Sequence, residues 1–488
     1  MGIKRRINYM QQFLSSISSN LLTQPAYIIG LLVFVGMLAL KKPVYEALAS
    51  MIKAVVGYFI LSIGSGGFTS TFRPIVNALA SKFNITAALI DTYTQQAQMN
   101  DPATGFFASY PDAMGYIMIS FVISIVVNFL LVGFGKYTKI RTLFTTGHII
   151  QSYSLIWFWM IVILRPESYT VLTAIVLGIF CGVWASVGSN FTVEATQKLT
   201  GGANFAVGHQ EMLGILLTSK LAPKLGKEED NFENLQMPGW LSIFSDNIVS
   251  TSLLMLIFMG IVMLIIGPET MAQFDASYNV KTWYVLYIFK TCLHFAVYMN
   301  ILLSGVRLFV GELTKAFRGF SDKLLKGSMP AVDCAVTYSF VPANVPVLGF
   351  ALGFIGELVG IALLLIFKAP ILLLPAFIPL FFDNATLACF ANRYGGRRAA
   401  VILPLINGLF QVAVSELMLL FFQNNGFSLN AWGAFFDNNS LLPALLLGVK
   451  AIGPVPWMLI LSVILLACAQ LYYNSNKEHY WDHVEEED

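Results

Sequence analysis

The chain has 488 residues, of which 57% are hydrophobic and only 11% charged, with a formal net charge of +2. Soluble domains carry about 25% charged residues, so this composition excludes a water-covered globule of that length. The balanced charge offers no basis for a nucleic-acid partner.

In chain order, the stretch "MGIKRRINYMQQFLSSISSN" has a basic start, a polar middle and no apolar h-region, so no cleavable signal peptide is expected. About 20 apolar residues cross a hydrocarbon core of about 30 Å. Runs that meet this lie at 25–40, 114–135, 143–164, 170–188, 247–267, 282–304, 346–367, 400–422 and 453–473. Three apolar segments are less regular. Segment 54–68 ends in a glycine cluster, 203–218 opens with His209, Gln210 and Glu211, and 369–385 holds three prolines before a polar turn. Each reads as too short or too broken to span cleanly. Non-helical backbone at membrane depth is tolerated only where protein or a water-filled cavity satisfies it. The expected fold is an all-α polytopic membrane protein with about 10–11 transmembrane helices plus re-entrant or broken segments. It forms a single transport unit over residues 1–488, with 474–488 as a polar tail.

Two hydrophilic stretches interrupt the apolar pattern, 219–246 and 312–328, the second more basic than acidic. The positive-inside rule places both on the cytoplasmic side. The chain also echoes itself. "GGFTSTFRPIVNALASKF" (66–83) resembles "VGELTKAFRGFSDKLLKG" (310–327), and "LTGGANFAV" (199–207) and "NRYGGRRAAV" (392–401) each set Gly-Gly ahead of an apolar run. Paired halves with interrupted helices in corresponding places point to a transporter whose site lies between them.

Ionisable and amide groups at membrane depth are costly and usually face a partner or a cavity. The candidates are His148 and Gln151; His209, Gln210 and Glu211; Lys290 and His294; Asp333; Glu357; Asp383 and Asn384; Gln411 and Glu416. Taken singly, His148 is a brace between helices or a ligand contact. Lys290 and His294, four apart, form an interface contact or snorkel, and Glu357 in "GFIGELVG" bonds between closely packed helices. Asp333 follows Pro330 in a segment too short to span, where a helix break presents backbone N–H groups and a carboxylate together. Together the set implies a polar chamber. Histidine and glutamine donate and accept, and aspartate accepts from hydroxyls, which suits a small polyhydroxylated molecule. The five cysteines, Cys181, Cys292, Cys334, Cys389 and Cys468, have no CxxC spacing and read as small buried hydrophobes. No metal-ligand spacing, Walker A sequence, GxSxG or HExxH is present, so no metal, no cofactor and no catalytic residue is expected.

Several stretches carry a resemblance: "GSGGFTSTFRPIV" (64–76), "DTY" (91–93), "IRTLFTTGHI" (140–149), "VGHQ" (207–210), "PGWLSIFSDNIVST" (238–251), "VDCAVTYSF" (332–340) and "FIPLFFDNATLACFANRYGGRRAA" (377–400). In that order they resemble the ascorbate-specific enzyme IIC family of the bacterial phosphoenolpyruvate-dependent phosphotransferase system. The resemblance implies a multi-pass permease of the bacterial inner membrane, a homodimer with a substrate-carrying core domain and a V-shaped dimerisation domain. Its core would move rigidly, in the manner of an elevator, to import L-ascorbate. A separate cytoplasmic IIB protein, charged in turn by IIA, would phosphorylate the substrate, with no IIA or IIB domain fused to this chain. Substrate contacts would fall on Thr92 and Tyr93, on His148 and the residues after it (Ile149, Ile150, Gln151 and Ser152), on His209 and Gln210, and on Asp333.

One departure bears on the substrate. The family pattern after the histidine is roughly H-I-M-F-Q-Q, whereas this chain has His148-Ile149-Ile150-Gln151-Ser152. The glutamine comes one place early, about 100° around a helix. Either Gln151 or Ser152 then meets the substrate, and a related sugar acid or polyol would also fit the changed wall. The alternative class is an ion-coupled secondary transporter with Glu211, Glu357 and Glu416 as coupling carboxylates.

Overall fold

Helices dominate because an apolar helix carries its own backbone hydrogen bonds into a solvent that supplies none. The computed structural model describes residues 25–83, 87–99, 105–232, 247–325, 327–342 and 344–477. The basic N-terminal stretch, much of the 219–246 stretch, the start of "PGWLSIFSDNIVST" and most of the polar tail lie outside these residues.

The first half runs α1 (Pro25–Ala39), α2 (Val44–Phe83), β1 (Ala87–Ile90), α3 (Thr92–Met99), α4 (Ala113–Gly133), β2 (Thr142–Phe144) and α5 (Gly147–Leu164). It continues with α6 (Val171–Phe191), α7 (Val193–Thr200), β3 (Ala206–Val207) and α8 (Met212–Leu225). The second half holds α9 (Asn247–Ile266), α10 (Pro268–Phe274), α11 (Tyr284–Leu324), β4 (Met329–Val332) and a 3₁₀ helix (Cys334–Phe340). After these come α12 (Asn344–Ile366), β5 (Leu372–Pro375), α13 (Phe377–Asn424), α14 (Phe436–Ile452) and α15 (Pro454–Ser475).

Among the described residues, seven helices are long and apolar enough to cross a bilayer, or eight if α9 and α10, bent by 95°, form one broken span. The chain is a multi-pass membrane protein. The count falls below the about 10–11 expected from apolar length. The reasons are that α1 has only 15 residues and that only Tyr284–Tyr298 of α11 qualifies as an apolar helix, a short one.

Segment 54–68, expected to be broken, is instead part of the continuous 40-residue helix α2. Two of its glycines, Gly57 and Gly67, sit directly against α11. A Cβ on Gly305 of α11 would collide with the Leu61 backbone, and one on Gly57 would lie 2.6 Å from the Phe309 nitrogen. Small residues let two membrane helices touch backbone to backbone, and α2 and the 41-residue α11 lie against each other along this seam. Each of these long helices leads into a short strand, α2 into β1 and α11 into β4, and the echoed stretches 66–83 and 310–327 occupy their ends.

The other interrupted segments are breaks, as expected. Among the described residues, five short strands form two parallel sheets, β1 with β5, and β2–β4–β3 with β4 in the middle. Thr142 pairs with Met329 and Val207 with Val332. An open sheet edge at membrane depth requires substitutes for water, and side chains provide them on both sides. On the β2 edge, Asn128 of α4 donates to the Thr142 carbonyl (3.1 Å) and accepts from the Phe144 N–H (2.9 Å). On the β3 edge, the Thr192 hydroxyl donates to the Val207 carbonyl (2.8 Å) and accepts from the Val207 N–H (3.0 Å). We expect Asn128→Leu to leave two buried backbone groups unpaired, at about 1–3 kcal/mol each. Thermal unfolding of the detergent-solubilised protein checks this, and an unchanged midpoint would contradict it.

Helix α13 is interrupted at Gly396, whose φ of +65° and ψ of −162° are non-helical. Four of the five cysteines are buried and all are free, in keeping with their reading as small hydrophobes. Every strand feeds a helix start, and these junctions point into one region between α2 and the rest of the molecule.

Candidate functional site

A cavity of about 280 Å³ lies where the junctions meet. Thr92 and Gln96 come from the junction after β1, and His148, Ile149, Gln151, Ser152 and Leu155 from the one after β2. His209 and Gln210 follow β3, Asp333 follows β4, and Ile378 and Phe382 follow β5; Phe435 adds a further aromatic wall, and Tyr58, Leu61, Ser62 and Gly66 of α2 close the cavity. Ligand pockets span about 300–1,000 Å³, so this one suits a ligand of single-ring size.

Each junction presents its residue for a local reason. Asp91 caps α3 by accepting from the Thr94 N–H (2.7 Å) and hydroxyl (2.8 Å), which puts Thr92 at the first turn of a helix rather than in a loop. Asp333 caps the 3₁₀ helix. Its Oδ1 accepts from the Ala335 N–H at 2.9 Å, while Oδ2 lies 3.8 Å from His148 Nε2 and 4.0 Å from His209 Nε2. Thr146, just before α5, donates to the Gly208 carbonyl and so ties the two histidine-bearing junctions together. His209 Nδ1 sits 2.7 Å from Glu211 Oε2, which orients the ring and leaves Nε2 toward the cavity. The walls beside the histidines are aromatic, with Phe309 against His148 and Phe382 and Phe435 against His209.

Helical spacing accounts for the residues after His148. Positions 148, 149, 151, 152 and 155 follow the pattern i, i+1, i+3, i+4, i+7 of one helix face. Both Gln151 and Ser152 therefore reach the cavity. Tyr58 donates to Gln151 Oε1 (3.2 Å), and Gln96 donates to the Ser152 hydroxyl (3.2 Å). Ile150, expected with its neighbours, falls off this face and packs instead in the apolar core. Tyr93 is the second residue of α3, and its side chain lies outside the described residues.

Other polar residues singled out in the sequence lie elsewhere. Asp383, Asn384, Asn407 and Gln411 form a hydrogen-bonded chain within α13 at 3.0–3.1 Å. Glu357 is buried against α13 with neither carboxyl oxygen partnered among the described residues. His294 sits on α11 beside Tyr298, and Lys290 is exposed.

The ligating atoms of His148, His209 and Asp333 lie within 4.8 Å of one another, which no sequence spacing announced. Zinc at its usual bond lengths holds ligand atoms about 3.4 Å apart. The separations of 3.8 and 4.0 Å are somewhat wider than that and leave room for a ligand atom between the three groups. A hydroxyl in that gap could donate to Asp333 Oδ2 and accept from an imidazole N–H.

Residues 20–438 match the family described as the PTS system sugar-specific permease component. The chain belongs to that family. The permease is similar to the ascorbate-specific PTS system EIIC component of Mycoplasma pneumoniae, at 31% identity over 434 residues. That alignment covers 82% of this chain and 66% of the relative, so the chain spans just under two thirds of the relative's length. Family and fold together make it a multi-pass protein of the bacterial inner membrane.

Sequence reading missed Tyr58, Ser62, Gln96, Phe382 and Phe435 as wall residues of the permease. A signal existed for Gln96. Once Asp91 is recognised as an N-cap, Thr92 and Gln96 stand four apart on one helix face. None existed for Phe435, which reaches the cavity only through tertiary packing.

Proposed function

We propose that this permease component imports L-ascorbate, which a separate phosphorylated IIB protein, charged by IIA, converts to a phosphate ester at the cytoplasmic face. The observation that carries this reading is the gap between His148, His209 and Asp333 in a small, partly open cavity. At neutral pH ascorbate is a monoanion with hydroxyls on a short side chain. Imidazole and amide N–H groups suit its enolate oxygen, and Asp333 Oδ2 suits a hydroxyl. The relative named as ascorbate-specific supports the same choice. The Gln151–Ser152 wall makes a related sugar acid or polyol the second reading.

In this proposal α2 and α11 belong to the stationary, dimer-forming part. The strand-to-helix junctions ride in a core that slides against them as an elevator. Support comes from the exposed apolar residues Val44, Leu48, Ile52, Val56 and Ile63 of α2, a surface suited to lipid or a second protomer. The 312–328 region and the 219–246 stretch remain the proposed IIB docking surfaces.

The test is uptake of labelled ascorbate into cells with and without the cognate IIB, followed by separation of free from phosphorylated product. IIB-dependent ascorbate phosphate supports the reading. Free ascorbate accumulating without IIB would replace it with ion-coupled transport. Because the proposed recognition uses hydrogen bonds alone, dialysis against EDTA should change the ascorbate Kd less than about twofold; loss of binding on chelation, restored by zinc, would contradict this.

A further inference from the structure

We propose that Asn438, itself oriented by Trp157, sets which end of the Gln210 amide meets the substrate and makes that wall a hydrogen-bond donor. The inference deepens the proposed function and rests on it for the ligand. The two ends of a glutamine amide are nearly the same shape but opposite in polarity, so a neighbour must decide which one faces a ligand.

Here the decision traces to a group with no choice. An indole N–H only donates, and Trp157 Nε1 lies 3.1 Å from Asn438 Oδ1. The Asn438 amide is thereby fixed, with Nδ2 on its other side. A second partner agrees, because Nδ2 also donates to the Gly433 carbonyl at 3.2 Å, and a carbonyl only accepts. Nδ2 also lies 3.1 Å from the Gln210 amide, so the atom it meets must be the acceptor Oε1. The Nε2 end of Gln210 is left for whatever occupies the cavity.

The relay is buried and packed among aromatic rings. Trp157, Asn438 and Gln210 are all buried, and the Trp157 ring is held between Tyr153 and Phe180 at centroid distances of 4.7 and 5.5 Å. The Gln210 backbone is anchored separately. Its carbonyl accepts from the Asp437 N–H (2.8 Å), and the Asp437 carboxylate accepts from the Met212 (3.2 Å) and Leu213 (3.0 Å) N–H groups. A change at the Asn438 side chain therefore turns the amide without releasing the loop. Asn438 is a positioning residue, and the consequence is selectivity for an anionic, acceptor-rich ligand at this wall.

The experiment is a double-mutant cycle on the purified full-length protein, reading ascorbate Kd and the thermal midpoint. In Asn438→Asp the new carboxylate still accepts from Trp157 but offers no N–H. Gln210 must then turn its NH₂ inward and its oxygen toward the ligand. Binding should weaken about 10-fold or more, the size of one charge-assisted hydrogen bond. The midpoint should fall as well, because the new carboxylate is buried without a counter-charge, and the comparison between backgrounds separates the two effects. In a Gln210→Ala background the same substitution should change binding less than about threefold, because the amide it acts through is gone. Trp157→Phe, which adds no charge, provides a second variant with a smaller loss that also vanishes in that background. Equal losses in both backgrounds would assign Asn438 a structural or purely charge effect and overturn the proposal, as would no loss in either. Wild-type titrations with ascorbate and other sugar acids test the substrate reading separately, and the cycle is run with the acid that binds most tightly.

Discussion

Asp333→Asn is expected to weaken ascorbate binding about 100-fold or more while leaving the protein folded. The two carboxylate oxygens have different tasks, which is why the effects separate. Oδ1 caps the 3₁₀ helix through the Ala335 N–H, and an asparagine oxygen does the same. Oδ2 faces His148 and His209. Replacing it by NH₂ removes the charge and puts a donor where the cavity needs its acceptor. Equilibrium binding and thermal unfolding on the same preparation decide the matter. Unchanged affinity would remove Asp333 from the site, and a collapsed midpoint would show that the cap depends on the charge.

His209→Ala should abolish binding and, unlike the change at Asp333, also destabilise the protein. Glu211 is fully buried and its Oε2 has His209 as partner, while Oε1 has none among the described residues. Removing one member of a buried charged pair typically costs about 3–5 kcal/mol, because the other is left uncompensated. Glu211→Gln in the same chain should therefore restore much of the lost stability, since an amide tolerates burial better than an unpaired carboxylate. It should not restore binding, because the imidazole Nε2 is still missing. Recovery of ascorbate affinity in the double variant would mean that His209 serves only to hold Glu211.

Much of the site is legible in the residues themselves. His148, His209, Gln210 and Asp333 stand out because polar groups are rare at membrane depth and require a partner there, and the fold gathers all four around one cavity. Asp333 is also legible as a helix start, because a short segment after a proline must break. The sequence reading reaches Thr92 and Tyr93 only through the resemblance, because it does not recognise Asp91 as the cap that starts a helix there. Ile150, grouped with His148 as its neighbour, falls on the wrong side of α5, where helical geometry overrides adjacency. The glycines of α2 mislead for a different reason. Glycine breaks an isolated helix, yet against a second helix it is what allows contact, and that second helix lies some 240 residues away, in α11.

The sequence alone determined the solvent, the helical class, most of the places where helices break and most of the polar residues that need partners. These follow from composition and short-range pattern, because a bilayer penalises every unpaired group locally. Only the tertiary structure decided what those partners are. Strands from distant parts of the chain pair in parallel, with Asn128 and Thr192 closing the sheet edges, and Trp157 reaches across to Asn438 to orient Gln210. Contacts so far apart in sequence leave no periodic trace. They become definite only when packing excludes water and each buried donor has one acceptor left to choose.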